Sequence, residues 1–229
     1  MQQVEMGIIN EAIRRTNRNL LLASLIGGLI AIGFFVFSFL FLPEYEDAAG
    51  EYNDVRIITL IIGLAILGVC IYGLVKFVRR MGNPALHPIM QSLLRFGEPE
   101  RVISEVENDL MMGADTVGEL LLSSNWLIHS SRTKFSLTRL SDIVWAYMTI
   151  TTHSRNGVNT GTTTAVYIWD RHGDAIVTER GPTKLMMNTV LVRAPWAFGG
   201  YTDELNVAWN STDGRTQMVA AVDQRRKEG

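Results

Sequence analysis

Two apolar runs without one charged side chain dominate the first third of the chain, Leu20–Leu42 and Ile57–Val75, 23 and 19 residues long. As helices they would measure roughly 34 and 28 Å, matching a hydrocarbon core about 30 Å thick. The core helix of a soluble protein carries a polar face, whereas Leu20–Leu42 offers only Ser24 and Ser38. A signal peptide's apolar region is shorter, about 7–15 residues, and precedes a small-residue cleavage site. The first run instead ends in Phe39, Leu40, Phe41, Leu42 and Pro43. The pattern predicts a transmembrane hairpin over 20–80, with spans 20–42 and 57–78. Upstream, Val4, Ile8, Ile9, Ala12 and Ile13 recur at helical spacing and are closed by Arg14, Arg15 and Arg18. Over 1–19 that pattern fits a juxtamembrane amphipathic helix lying in the headgroup region, or a helical extension of the first span.

After Gly82, Asn83 and Pro84 the pattern changes character, and residues 82–229 read as one domain with its own core. Leu86, Ile89, Met90, Leu93 and Leu94 outline an amphipathic helix with Pro88 in its first turn and Gly97 past its end. Short β-branched and aromatic runs follow. They predict strands near Val102–Glu107, Glu119–Ser123, Trp126–Ser130, Lys134–Leu137, Asp142–Thr151, Thr164–Asp170 and Ala175–Glu179. Asp170–Asp174 reads as a hairpin turn around Gly173, and Ser154–Thr164 as a mobile loop between two long strands. Helical spacing resumes around Thr183–Val192, Thr202–Trp209 (capped by Thr202) and Arg215–Lys227. Seven closely spaced strands predict a largely antiparallel sheet curled into a barrel or sandwich, so the fold class is α+β.

Charge orients the hairpin. Arg14, Arg15, Arg18, Lys76, Arg79 and Arg80 flank the two runs, while the connecting segment 43–56 carries five acidic residues and only Arg56 as a cation. Basic residues stay on the cytoplasmic side. This places both termini in the cytoplasm of a cell (inner) membrane, with the acidic loop 43–56 outside. Neither run is interrupted by an ionisable residue, which argues against an ion path or proton relay. Ser24 with Gly28 and Gly27 with Ala31 give small-xxx-small spacing, and Gly63, Gly68 and Gly73 recur in the second run; such residues serve packing of the two helices or homo-oligomerisation. The overall charge is −2, without the basic stripe that nucleic-acid binding needs.

Candidate chemistry is sparse. Cys70 is the sole cysteine and lies within the second run, which excludes an internal disulfide or a multi-cysteine metal site. His87, His129, His153 and His172 show no metal-ligand spacing, and His129, in a predicted strand, is expected to satisfy a local hydrogen bond. Gly157 and Gly161 lack the Lys-Ser/Thr ending of a phosphate loop, and no Gly-x-Ser-x-Gly elbow occurs. No catalytic residue, metal or cofactor is expected. Arg132, Lys134 and Arg155 are loop cations that can meet at one mouth of the expected barrel, as contacts for a headgroup or partner. Trp196, Phe198 and Tyr201 read as a docking surface or, the commoner use, as aromatic anchors for the C-terminal helices.

The order Leu120–His129, a basic turn Ser131–Lys134, then Ser136–Trp145 through Leu140, Ser141, Asp142 and Ile143 resembles the middle of bacterial pleckstrin-homology-like domains. Val166–Val177 is similar to their next hairpin, and the residues after Pro195 depart from the pattern as an additional tail. The resemblance implies a pleckstrin-homology-like domain on a two-helix membrane anchor, with an adaptor or lipid-proximal role. The expectation is a non-catalytic binding or scaffolding protein whose partners are the bilayer and other membrane-proximal proteins. The alternative is a sensor of anionic headgroups; a membrane enzyme comes third.

Overall fold

The computed structural model describes residues 7–40, 52–155 and 158–228. Val4 and the acidic residues of 43–51 lie outside the described residues. Packing divides the chain into two compact units, Met1–Pro99 and Glu100–Gly229.

In the first unit, α1 (Ile8–Leu40) is one uninterrupted helix, so the residues ahead of the first apolar run continue it without a break. The second long helix, α2, spans Tyr52–Gly82. Both are long and apolar enough to cross a membrane. Their apolar side chains face outward, Leu29 at 70% and Val69 at 72% exposure, where a soluble core helix would bury them. Gly27, Gly63, Gly73 and Ser24 sit where the antiparallel helices touch, whereas Gly28 and Gly68 have open space beside them. A Cβ on Gly27 would lie 2.6 Å from Cys70 Sγ, and one on Gly73 would strike Ser24 Oγ. Close backbone approach is what such residues permit, and here it joins α1 to α2 within one chain. A 3₁₀ turn (Pro84–Leu86) and the short α3 (Pro88–Leu93) follow. His87 Nδ1 caps α3 by accepting from Ile89 N at 3.2 Å.

The second unit opens with α4 (Pro99–Met111). The strand expected over Val102–Glu107 is helical instead. Val102, Val106 and Asp109 are its buried residues, at i, i+4 and i+7, so the β-branched valines follow a helical period and Pro99 starts the first turn. Asp109 then accepts from Ser123 Oγ, from Asn125 N at 2.9 Å and from Asn125 Nδ2 at 3.0 Å, fastening α4 to the turn at Ser123–Asn125.

Strands β1 (Asp115–Val117), β2 (Leu120–Leu122), β3 (Trp126–Ser130) and β4 (Phe135–Arg139) form an antiparallel meander. A 3₁₀ turn at Leu140–Asp142 leads into β5 (Ile143–Arg155), β6 (Val158–Asp170) and β7 (Ala175–Thr178). The helix α5 (Thr183–Arg193) precedes a two-residue strand β8 (Phe198–Gly199) that pairs parallel with β5. Among the described residues two four-stranded sheets result, β1-β2-β3-β4 and β7-β6-β5-β8. The expected closure into a barrel does not occur, because the turn at Leu140–Asp142 separates β4 from β5 and the outer edge of β5 receives β8 instead. The first sheet is antiparallel throughout, as expected, and the second is mixed through the parallel β5–β8 pairing. Of the stretch Ser154–Thr164, residues 154–155 belong to β5 and 158–164 to β6, since its threonines favour extended backbone.

Leu120, Leu122 and Leu127 pack with Ile143, Ala146, Val166 and Ile168, closed by Met186 and Val190 of α5. A second cluster joins Val144, Trp145 and Tyr147 to Trp209 of α6 (Asp203–Asn210) and to Met218 and Val222 of α7 (Thr212–Glu228). The register shift between Ile143 and Trp145 lets the adjacent Val144 and Trp145 both join that cluster. Thr202 Oγ1 caps α6 by accepting from Leu205 N, as its position before Asp203 and Glu204 predicts.

Polar ties hold α7. Arg171 bridges Asp142 at 3.0 Å and Asp223 at 2.8 Å, and Arg226 donates to the Ser141 carbonyl. The hydrogen bond from Arg171 holds the Asp223 carboxyl below its ordinary value, aided by the charges of Arg171, Arg226 and Lys227. A depressed carboxylate contributes stability that is present above its unfolded value, near 3.9, and is lost as pH falls through the lower folded value. Arg171→Gln is therefore expected to lower the thermal midpoint at pH 7 by a few degrees, an effect of about 1 kcal/mol for so exposed a pair. The gap between wild type and variant should narrow below about pH 4. Equal gaps at pH 7 and pH 3 would show that the pair contributes nothing through charge.

Candidate functional site

The β2–β3 register sets Leu120 opposite His129 and brings Glu119, just before β2, alongside the end of β3. His129 Nε2 lies 3.1 Å from Glu119 Oε2, and Thr178 Oγ1 donates to the same oxygen at 3.4 Å. This is the local partner expected of His129. Around the pair is a cleft of about 220 Å³ lined by Glu119, His129, Ser131, Lys134, Thr178 and Arg180, among others. Its cations, Lys134 and Arg180, stand among Glu119 and Glu179, so the lining is of mixed sign. The arrangement orders a sheet end and presents hydrogen-bonding groups; the imidazole and the carboxylate are already engaged with each other.

Of the three cations singled out in the sequence, Arg132 and Lys134 stand exposed on the turn between β3 and β4, which closes through Ser131 N to the Lys134 carbonyl at 2.9 Å. Arg155 is the last residue of β5. Thr178, beside the cleft, pairs with Val166, which pairs with Met148, and Arg155 lies seven residues further along β5. At about 3.3 Å per residue the backbone of Arg155 is roughly 23 Å beyond that level along the strand. The fold thus joins Arg132 and Lys134 and carries Arg155 away from them; its side chain lies outside the described residues.

That distance exposes a feature the residue pattern did not single out. β5 and β6 pair from Trp145–Trp169 out to Arg155–Val158, but β7 covers β6 only at Val166–Trp169, and β8 covers β5 only at Trp145 and Ala146. Beyond those points the pair continues as a two-stranded ribbon whose outer edges meet no further strand among the described residues. Such hairpins are marginal in water by themselves. This one is dense in threonine, at 149, 151, 152, 160, 162, 163 and 164, and is tied by His153 Nε2 to Thr163 Oγ1 at 2.8 Å and Thr160 Oγ1 to the His153 carbonyl. Ile150 and Val158, 65% and 66% exposed, leave apolar surface on it. The run of threonines was the available signal, since β-branched residues favour strands over loops.

The same edge already holds one added strand. Phe198 and Gly199 pair with Trp145 and Ala146, Gly200 N donates to the Ala146 carbonyl at 2.9 Å, and Trp145 Nε1 donates to the Gly200 carbonyl at 2.7 Å. Trp196 and Phe198 pack against the second cluster and Tyr201 stacks on Trp145, so these aromatics anchor the tail as expected.

Residues 85–209 match the family described as Domain of unknown function (DUF6709). No curated protein and no solved structure matches the chain.

Proposed function

The chain belongs to the DUF6709 family, and on that premise we propose that it is a bilayer-tethered, non-catalytic binding protein that captures an extended segment of a membrane-proximal partner protein. In this reading α1 and α2 cross the membrane, and the six flanking cations keep both termini in the cytoplasm with 43–56 outside. The sheet-rich domain is pleckstrin-homology-like. A four-strand meander followed by a three-strand meander and a helix supports that assignment, with α6 and α7 as an addition covering the second sheet.

The observation that carries the reading is the outer edge of β5. β8 pairs parallel with this edge at Trp145 and Ala146, and the edge then continues toward Arg155 without a further strand among the described residues. Strand addition uses main-chain hydrogen bonds for affinity and alternate side chains for selectivity. Tethering at the bilayer raises the effective concentration for partners held there.

A photo-crosslinking side chain in place of Ile150, in the full-length chain in native membranes, should give a discrete adduct. Its partner peptide, identified by mass spectrometry, should come from one extended segment. Thr152→Pro removes a main-chain donor from the strand and should abolish the adduct while the chain still accumulates in membranes. An adduct that survives the proline, or that forms equally from exposed Val192 on α5, would overturn strand capture.

A further inference from the structure

The last turns of α2 carry a buried guanidinium that meets no counter-charge among the described residues. Arg80 is only 9% exposed, its Nε has no hydrogen-bond partner, and among the described residues no carboxylate lies within ion-pair distance. Burying a cation unpaired is costly, so such a group calls for an anion. The position of Arg80 at a helix C-terminus offsets part of that cost, but the helix end supplies only about half a charge. Lys76 and Arg79, four and one residues earlier, share its cavity of about 190 Å³ with Tyr72, Val75 and Leu86. Spacing of three and four residues stacks Tyr72, Lys76, Arg79 and Arg80 on one side of the helix. His87 adds no charge there, because burial, and then the nearby Arg80, push its pKa down to about 4.

The cavity is amphipathic in a definite order. Tyr72 and Val75 stand toward the apolar run, Lys76 directly follows it, and Arg79 and Arg80 lie beyond. A phosphate with an attached apolar chain has the same order, whereas a free anion would use only the lower half. We propose that Lys76, Arg79 and Arg80 form a seat for the phosphate of an anionic phospholipid, with Tyr72, Val75 and Leu86 receiving the first part of its glycerol and acyl region. Arg79 and Lys76 close over the phosphate from the exposed side, and the Arg80 guanidinium donates from beneath it. The assignment rests on the reading of α1 and α2 as membrane-spanning. A requirement for cytoplasmic basic residues accounts for the presence of the cations, but not for one of them being buried beside a cavity.

Native mass spectrometry of the full-length chain, released from micelles, tests the seat with dioleoyl-phosphatidylglycerol against dioleoyl-phosphatidylcholine. Phosphatidylglycerol should be retained at least tenfold more strongly. Arg79→Gln, at an exposed position, should lower that preference about tenfold, the loss expected for one charge-assisted hydrogen bond. Arg80→Lys should retain part of it, and Arg132→Gln with Lys134→Gln should leave it unchanged. Millimolar inorganic phosphate should not compete; full competition would assign the seat to free phosphate and overturn the lipid. Equal retention of the two lipids, or an unchanged preference in Arg79→Gln, overturns the seat. Alkaline carbonate washing separates the two claims. A chain that stays in the pellet but shows no preference overturns the seat alone, while one that is stripped yet keeps its preference overturns the spanning reading.

Discussion

Trp145→Ala should cost about 3–5 kcal/mol and detach the C-terminal helices from the second sheet, the largest effect expected of any single change in the domain. Trp145 is fully buried at the start of β5. Its ring meets Tyr147 at 4.3 Å, Tyr201 at 6.2 Å and Trp209 at 6.2 Å between centroids, so it joins strand, tail and α6. Its Nε1 also donates to the Gly200 carbonyl, which holds the segment just after β8. Truncation removes the ring from the cluster and leaves that carbonyl without its donor. Phenylalanine restores volume without the donor and should recover more than half of the loss. Denaturant titration followed by tryptophan fluorescence measures both variants, and limited proteolysis should show α6 and α7 cleaved first. A midpoint within 1 kcal/mol of wild type would mean that the tail helices hold without this ring.

Asp109→Ala comes next, at about 3 kcal/mol. The carboxylate is 5% exposed and accepts from Ser123 Oγ and from both the main-chain and side-chain amides of Asn125. Hydrogen bonds to a charged acceptor contribute roughly twice as much as neutral ones, and donors left buried without an acceptor add their own desolvation cost. Trp126, next in sequence and fully buried, lies under the Arg139 guanidinium at 5.1 Å, so loosening this turn reaches the core. Asp109→Asn keeps one acceptor oxygen but turns an amide toward Asn125, and should be nearly as damaging. The check is the urea midpoint together with hydrogen exchange at Asn125 and Trp126. Faster exchange there, with β5–β6 unchanged, is the expected signature. A loss below 1 kcal/mol would reduce Asp109 to a surface-like residue.

The hierarchy of these effects follows how much of each feature is local. The two long helices were legible because spanning capacity depends on length and the absence of charge within one segment, both countable along Leu20–Leu42 and Ile57–Val75. Trp126–Ser130 and the cap at Thr202 were legible for the same reason, since alternation and capping act over a few residues. Val102–Glu107 misled because two valines in a short window suit either period, and only burial of Asp109 one turn further on reveals the helix. The barrel failed on a question of closure, which depends on whether two strands far apart in the chain meet.

Among the candidate sites the same division holds. Arg132, Lys134 and Arg155 are alike as residues, yet the pairing of β5 with β6 carries one of them to the end of a ribbon and leaves two on a turn. Arg80 looked like the cations around it; that it is buried beside a cavity is a property of its surroundings rather than of its type. By itself, then, the sequence determined what short-range chemistry can decide: two helices of bilayer length, most strands of the sheets, and the caps and turns between them. Only the tertiary structure decided which edges stay unpaired, which cation loses its water and which histidine meets a glutamate. Each of those is a relation between residues far apart in the chain, set by packing rather than by any local preference.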